Sequence, residues 1–222
     1  VRREDGDVSD GFRVGVLGSG PVGRGIATLA AHAGYRVQLG TRRPAAAKLT
    51  ELPPPVAVGT FDEAAACDVV FLAVVHRASR DLVTGLEAVL ADTILIDADN
   101  AWLPGDREAA GLSADLTEGR WMSELLPRTR VVRAFSHVDW DLLVPSGSET
   151  PGVYAAPYTA DDVEAGRAIE SLVFDMGYVP IRIGDLDDPA IDIGGTLWPG
   201  RFTIGQVRSA LGWGDGDAGS AP

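Results

Sequence analysis

Six residues, Gly18-Ser19-Gly20-Pro21-Val22-Gly23, constrain this chain more than any other feature. A G-x-G-x-x-G string is common by itself. This one follows an apolar run, Phe12–Leu17, that reads as a buried strand, and it opens a stretch, Pro21–Ala33, in which Val22, Ile26, Leu29 and Ala33 recur at helical spacing. Strand, glycine turn and helix in that order form the phosphate-binding start of a dinucleotide fold. Gly18 allows the tight turn, Gly20 removes a side chain where a pyrophosphate approaches, and Gly23 lets helix and strand pack closely. Unpaired N–H groups at the helix start then face the phosphates.

The alternation continues. Arg36–Gly40 reads as a second strand, Ala45–Leu52 as a helix ended by Pro53-Pro54-Pro55, and Val56–Val58 as a third strand. Thr60 can cap a helix through Cys67. Asp68–Val75, Ile94–Ile96 and Val131–Phe135 read as further strands, with a helix over Arg80–Leu90. This rhythm predicts an α/β fold built on an N-terminal Rossmann-type parallel sheet covered on both faces. It then changes: Gly152–Ala156 reads as a strand, Thr159 and Asp162 as a capping box for a helix through Met176, and Val179–Ile183 as another strand. A broken helix and a loop follow over Pro189–Trp213. The expected organisation is a nucleotide-binding domain over 12–137 and a small C-terminal α/β region for substrate and dimerisation over 138–213, with 1–11 and 214–222 as disordered ends.

A formal net charge of −13 argues against nucleic acid, which demands a basic footprint. No apolar run approaches the ~18–20 residues of a membrane span, and no signal-peptide pattern opens the sequence. The single cysteine, Cys67, excludes an intramolecular disulfide and reads as a buried spectator in a reducing cytoplasm. Asp97 and Asp99, without a His or Cys cluster, do not make a metal site.

The second strand decides the cofactor. NAD binders place an Asp or Glu at its end to receive the ribose hydroxyls. Here the sequence is Gly40-Thr41-Arg42-Arg43, with a hydroxyl, two guanidiniums and no carboxylate. Arginine forks match phosphate oxygens, so the expected cofactor is NADP(H), its 2′-phosphate held at this turn.

The strings VGVLGSGPVGRGIA, QLGTRR, DVVFLAVV and RVVRAFSHV resemble the family of F420-dependent NADP oxidoreductases, over about residues 12–185. The resemblance implies hydride transfer between NADP(H) and the deazaflavin F420. It implies that Gly18, Ser19, Gly20, Pro21 and Val22 surround the pyrophosphate and that Thr41, Arg42 and Arg43 take the 2′-phosphate. It further implies that Val74, Val75 and His76 after the fourth strand, and Ala98, Asp99 and Asn100 after the fifth, line the cofactor. The sequence departs from the family at Val75-His76, at Ser136-His137 and over Ile193–Leu211, where Trp198-Pro199-Gly200-Arg201 stands in place of a long apolar helix.

Ser136 and His137, at the carboxyl end of the sixth strand, are the catalytic candidates; His137 reads equally as acid/base and as structural. Asp139 could orient it, and helix-start carboxylate is its plainer account. His32 reads as surface or packing. Trp198 and Arg201 could cover a flat or anionic substrate. Two other functions fit the sequence: reduction of a small imine or ketone metabolite, which needs a proton donor, and NADP(H) binding without catalysis. A homodimer built partly on the apolar segment Ile193–Leu211 is also expected.

Overall fold

The computed structural model describes residues 12–44, 52–143 and 152–214. The ends 1–11 and 215–222 and residues 45–51 of the expected second helix lie outside the described residues. Eight strands form one sheet in the order β3-β2-β1-β4-β5-β6-β7-β8. β1 (Arg13–Leu17), β2 (Arg36–Gly40), β3 (Val56–Gly59), β4 (Val69–Leu72), β5 (Ile94–Asp97) and β6 (Arg130–Ala134) are parallel. That is the Rossmann order, in which ligands bind at the carboxyl ends of the strands where the order reverses, between β1 and β4. β7 (Ala155–Thr159) pairs antiparallel with β6, and β8 (Val179–Gly184) pairs parallel with β7. The C-terminal strands therefore extend the first sheet rather than building a second.

The helices are α1 (Pro21–His32), α2 (Phe61–Ala65), α3 (Ser79–Gly85), α4 (Glu87–Leu90), α5 (Asp106–Ala110), α6 (Glu118–Leu125), α7 (Trp140–Leu143), α8 (Val163–Asp175) and α9 (Ile204–Ala210). Strand side chains alternate between faces. Val14, Val16, Phe71, Ile96 and Val132 pack with Ile26 and Leu29 of α1 and Ile169 and Leu172 of α8. Val70, Leu72, Leu95 and Val131 pack instead with Ala64 of α2, Val83 of α3 and Trp121 and Met122 of α6. Thr60 caps α2 with a full capping box to Glu63. Asp162, not Thr159, caps α8, its carboxylate accepting from the Ala165 N–H; Thr159 is the last, fully buried residue of β7.

On the α6 face two strand positions break the apolar pattern. Asp97 ends β5, Arg133 lies in β6, and the two are paired in register and fully buried. The segment Ile193–Leu211 differs from expectation in another way. Leu197 and Val207 are buried against Ala155, Ile183 and Ile191, so the apolar residues that suggested an interface there cover the chain's own core.

After β6 the chain turns sharply at Phe135, whose φ of 63° lies in the left-handed region. A residue with a Cβ gives up roughly 1–2 kcal/mol there. Packing offsets it: the ring lies 6.0 Å from Phe71 and 5.4 Å edge-on from Tyr178. Phe135→Ala is expected to lower unfolding stability by about 3–5 kcal/mol, read by urea denaturation, because the turn keeps its strain and loses its anchor.

Candidate functional site

The glycine loop has the shape its spacing predicts. A Cβ on Gly18 would overlap the Ala73 carbonyl, one on Gly23 would overlap the Gly18 carbonyl, and one on Gly20 would meet nothing within 4 Å. The first and last glycines therefore serve packing, and the middle one leaves open space in front of α1. Gly20 is the N-cap of that helix, with no side-chain cap, and Pro21 begins it. Its first-turn N–H groups are left for an anion, the cradle a pyrophosphate requires.

The end of β2 lies beside this loop. The Gly18 N–H donates to the Gly40 carbonyl at 3.0 Å, and Ser19 Oγ donates to Thr41 Oγ1 at 3.0 Å. Arg42 and Arg43 are exposed and carry no hydrogen bond or ion pair among the described residues. Uncapped helix-start amides and guanidiniums unengaged among the described residues thus occupy adjacent strand ends.

From there a cavity of about 390 Å³ runs across the carboxyl ends of β4, β5 and β6. Val22, Val74, Val75, Ala98, Asn100 and Ser136, all singled out in the sequence, line it together, and three tryptophans, Trp102, Trp140 and Trp198, wall its mouth. Trp102 and Trp140 are 59% and 60% exposed, and Trp102 lies 5.5 Å from Trp198 at 58°. Sequence reasoning found Trp198 but missed the other two. Arg201 does not line the cavity; its guanidinium sits 4.4 Å over the Tyr154 ring.

Two histidines are elsewhere than expected. His76 follows β4, but its ring turns onto the α6 face, 4.9 Å from Trp121, and is buried rather than lining the cavity. Its Nδ1 donates to Asp99 Oδ1 at 3.2 Å, and Ser79 donates to the other Asp99 oxygen. Burial alone would lower His76, but the bond to Asp99 and its charge hold the ring above the usual histidine value. Asp99 is held low despite its burial by His76, Ser79 and Arg133.

His137 is fully buried, lies outside the cavity lining, and stacks loosely on Phe202 at 6.5 Å. Burial pushes it down to about 3, opposed by the Ala155 backbone and aided by the charge of Arg133. A ring that is neutral and out of reach is no general acid, so the acid/base role is corrected to a structural one. Ser136 lines the cavity, but its hydroxyl is engaged, donating to the Ile191 carbonyl at 3.0 Å. Asp139 lines the cavity without a bond to His137.

Beneath the cavity lies a buried ionic cluster that sequence reasoning missed. Arg133 uses all five guanidinium donors: Nε to Asp192, Nη1 to Asp97 at 3.0 Å and to the Asp99 carbonyl at 3.1 Å, Nη2 to Asn100 Oδ1 at 3.1 Å and to Glu118 at 2.8 Å. Burial and the neighbouring Asp99 charge raise Asp97 well above the ordinary carboxyl value, and burial raises Glu118, in both cases against the pull of Arg133. His76, Asp99 and Glu118 do bring donor atoms within 4.8 Å of one another, but the guanidinium bonded to Glu118 already supplies the positive charge there. A charged residue inside the apolar run V-V-R-A-F was the available signal, since arginine is rarely buried without partners.

Comparison with known proteins agrees with this geometry. The family described as NADP oxidoreductase, coenzyme F420-dependent, matches residues 13–101. Among curated proteins the chain is 30% identical over 177 residues to metalloreductase STEAP3 of Rattus norvegicus, covering 78% of this chain and 34% of that protein. It is 26% identical over 200 residues to metalloreductase STEAP2 of Homo sapiens, covering 86% and 38%. The chain thus spans about a third of the length of these relatives. A structure of a hypothetical protein from Sinorhizobium meliloti superposes with a TM-score of 0.76 at 23% identity, covering 87% of this chain and 95% of that one. A candidate F420-dependent NADP reductase from Arthrobacter superposes with a TM-score of 0.61 at 24% identity, covering 79% and 86%. These likenesses show the fold. Among the described residues no helix is long and apolar enough to cross a membrane.

The neutral His137 has a measurable signature. The unfolded chain takes up a proton there below about pH 6.5, whereas the folded chain resists until about pH 3. The stability contributed by the neutral ring is therefore whole above pH 6.5 and is lost as pH falls, by about 1.4 kcal/mol per unit. Urea unfolding across this range should show His137→Leu losing less stability on acidification than the wild type by that increment. Parallel curves would mean that the ring titrates normally in the fold.

Proposed function

We propose that this chain moves hydride between NADP(H) and a flat conjugated acceptor of the deazaflavin F420 class, a reading supported by the match of residues 13–101 to the family described as NADP oxidoreductase, coenzyme F420-dependent. The observation that carries the reading is the make-up of the cavity. Three tryptophans wall its mouth, and its lining contains no histidine, lysine, tyrosine or cysteine. Aromatic rings recognise flat conjugated partners by offset or edge-on stacking. An acceptor that takes hydride into an extended ring system needs alignment more than a positioned acid.

In this reading the N-terminal turn of α1 and Gly20 hold the pyrophosphate, and Thr41, Arg42 and Arg43 hold the 2′-phosphate. NADPH, when bound, supplies the hydride. Val22, Val74, Val75 and Ala98 give the nicotinamide end an apolar wall that excludes water, while Trp102, Trp140 and Trp198 orient the acceptor. Asp99 is held ionised and Ser136 is engaged with Ile191, so a ketone or imine would have to draw its proton from Asp139.

Two experiments test the two halves of the reading. Changing Arg42 and Arg43 to Ala should weaken NADPH by roughly ten- to a hundredfold per residue, the value of a hydrogen bond to a charged group, and leave NADH nearly unchanged in calorimetric titration. Equal losses would falsify the 2′-phosphate assignment. For the acceptor, Trp102→Ala and Trp198→Ala should each raise the KM for F420 by about two- to tenfold with the KM for NADPH unaltered. Turnover of an imine or ketone that collapses by about 10²–10⁴ in Asp139→Asn, with no turnover of F420, would instead assign the protein to metabolite reduction.

A further inference from the structure

Arg133 touches neither of the proposed ligands, yet one of its bonds reaches the cavity wall. Asn100 lines the cavity, and both ends of its carboxamide are fixed. Oδ1 accepts from Arg133 Nη2 at 3.1 Å, and Nδ2 donates to the Ser136 carbonyl at 2.7 Å. The amide cannot flip, because flipping would set a donor against the guanidinium and an oxygen against a carbonyl. The second Nδ2 hydrogen has no acceptor among the described residues. The guanidinium is itself immobilised: Asp97 and Glu118 hold its terminal nitrogens and Asp192 holds Nε, so its plane is set from three directions. Nη1 also fixes the Asp99 carbonyl, and with it the turn that carries Asn100.

We propose that Arg133 is a positioning residue for the nicotinamide end of the cofactor, acting through Asn100, whose remaining N–H donates to an oxygen of the nicotinamide nucleoside. The proposal rests on the NADP(H) reading above and is independent of the acceptor. It requires arginine: lysine keeps the charge among the carboxylates but lacks the rigid fork that spans Asn100, Asp97 and Asp192 together.

The test compares two ligands that differ at one end, NADPH and 2′-phosphoadenosine 5′-diphosphate, which lacks the whole nicotinamide nucleoside. Arg133→Lys and Asn100→Ala should each weaken NADPH by about tenfold in calorimetric titration and change the shorter ligand by less than about twofold. The double variant should bind NADPH no more weakly than Asn100→Ala alone, because one interaction is removed twice. A merely structural Arg133 predicts equal losses for both ligands, or losses that multiply in the double variant, and either result overturns the proposal. If circular dichroism shows Arg133→Lys unfolded, Asp192→Asn loosens the hold on Nε while keeping the guanidinium; it should show the same selective loss, smaller, and an unselective loss refutes the proposal. Wild-type protein that binds neither ligand overturns the NADP(H) reading itself. Binding of both without F420 turnover overturns only the acceptor assignment.

Discussion

One buried guanidinium ties together the parts of this molecule that the sequence keeps far apart. Arg133 in β6 meets Asp97 of β5, Glu118 of α6 and Asp192 of the C-terminal segment, three stretches that lie far apart in the sequence. Replacing such a cluster wholesale with apolar residues is often neutral or stabilising, whereas removing one member strands a charge and costs about 3–5 kcal/mol. Its worth therefore lies in geometry. Leucines in the same place would fill the volume without fixing which backbone carbonyl or carboxamide faces which way.

The same cluster explains how a short chain builds a two-sided cavity. The floor comes from the strand ends, which any fold of this order provides. The wall opposite comes from Trp198, in a glycine- and proline-rich loop whose neighbour, Asp192, is bonded to Arg133 and to the Glu118 N–H. The loop is thereby docked against the sheet through an ionic contact, and the Gly200 N–H adds a bond to the His137 carbonyl at 2.9 Å. His137 is in this sense part of the hinge on which the wall is mounted.

What the sequence disclosed followed the range of the interaction. Elements set by local rules were legible: the glycine loop, the strand alternation, the Thr60 cap and the arginine pair all announce themselves within a few residues. α6 was missed although Thr117 precedes Trp121, Met122 and Leu125, because its helix is short and its charged first residues dilute the apolar pattern. The histidines were misplaced for a different reason. Position after a strand tells on which edge of the sheet a residue lies, but not which way its ring turns, and a single φ at Phe135 sends His137 inward. Glu118 and Asp192 could not have been found from spacing at all, since only the folded sheet brings residues so distant to one guanidinium.

The small bond between Ser19 and Thr41 has a consequence for anyone wishing to retune this protein. It couples the glycine loop before α1 to the turn after β2, so the two elements proposed to hold the pyrophosphate and the 2′-phosphate form one rigid jaw. Installing a carboxylate at position 41 to favour the unphosphorylated cofactor would set it against the Ser19 hydroxyl and pull on the loop at the same stroke. A specificity switch in this scaffold is thus at minimum a two-residue problem, with Ser19 redesigned alongside Thr41, and libraries confined to the turn after β2 would search a space in which the loop has already been disturbed.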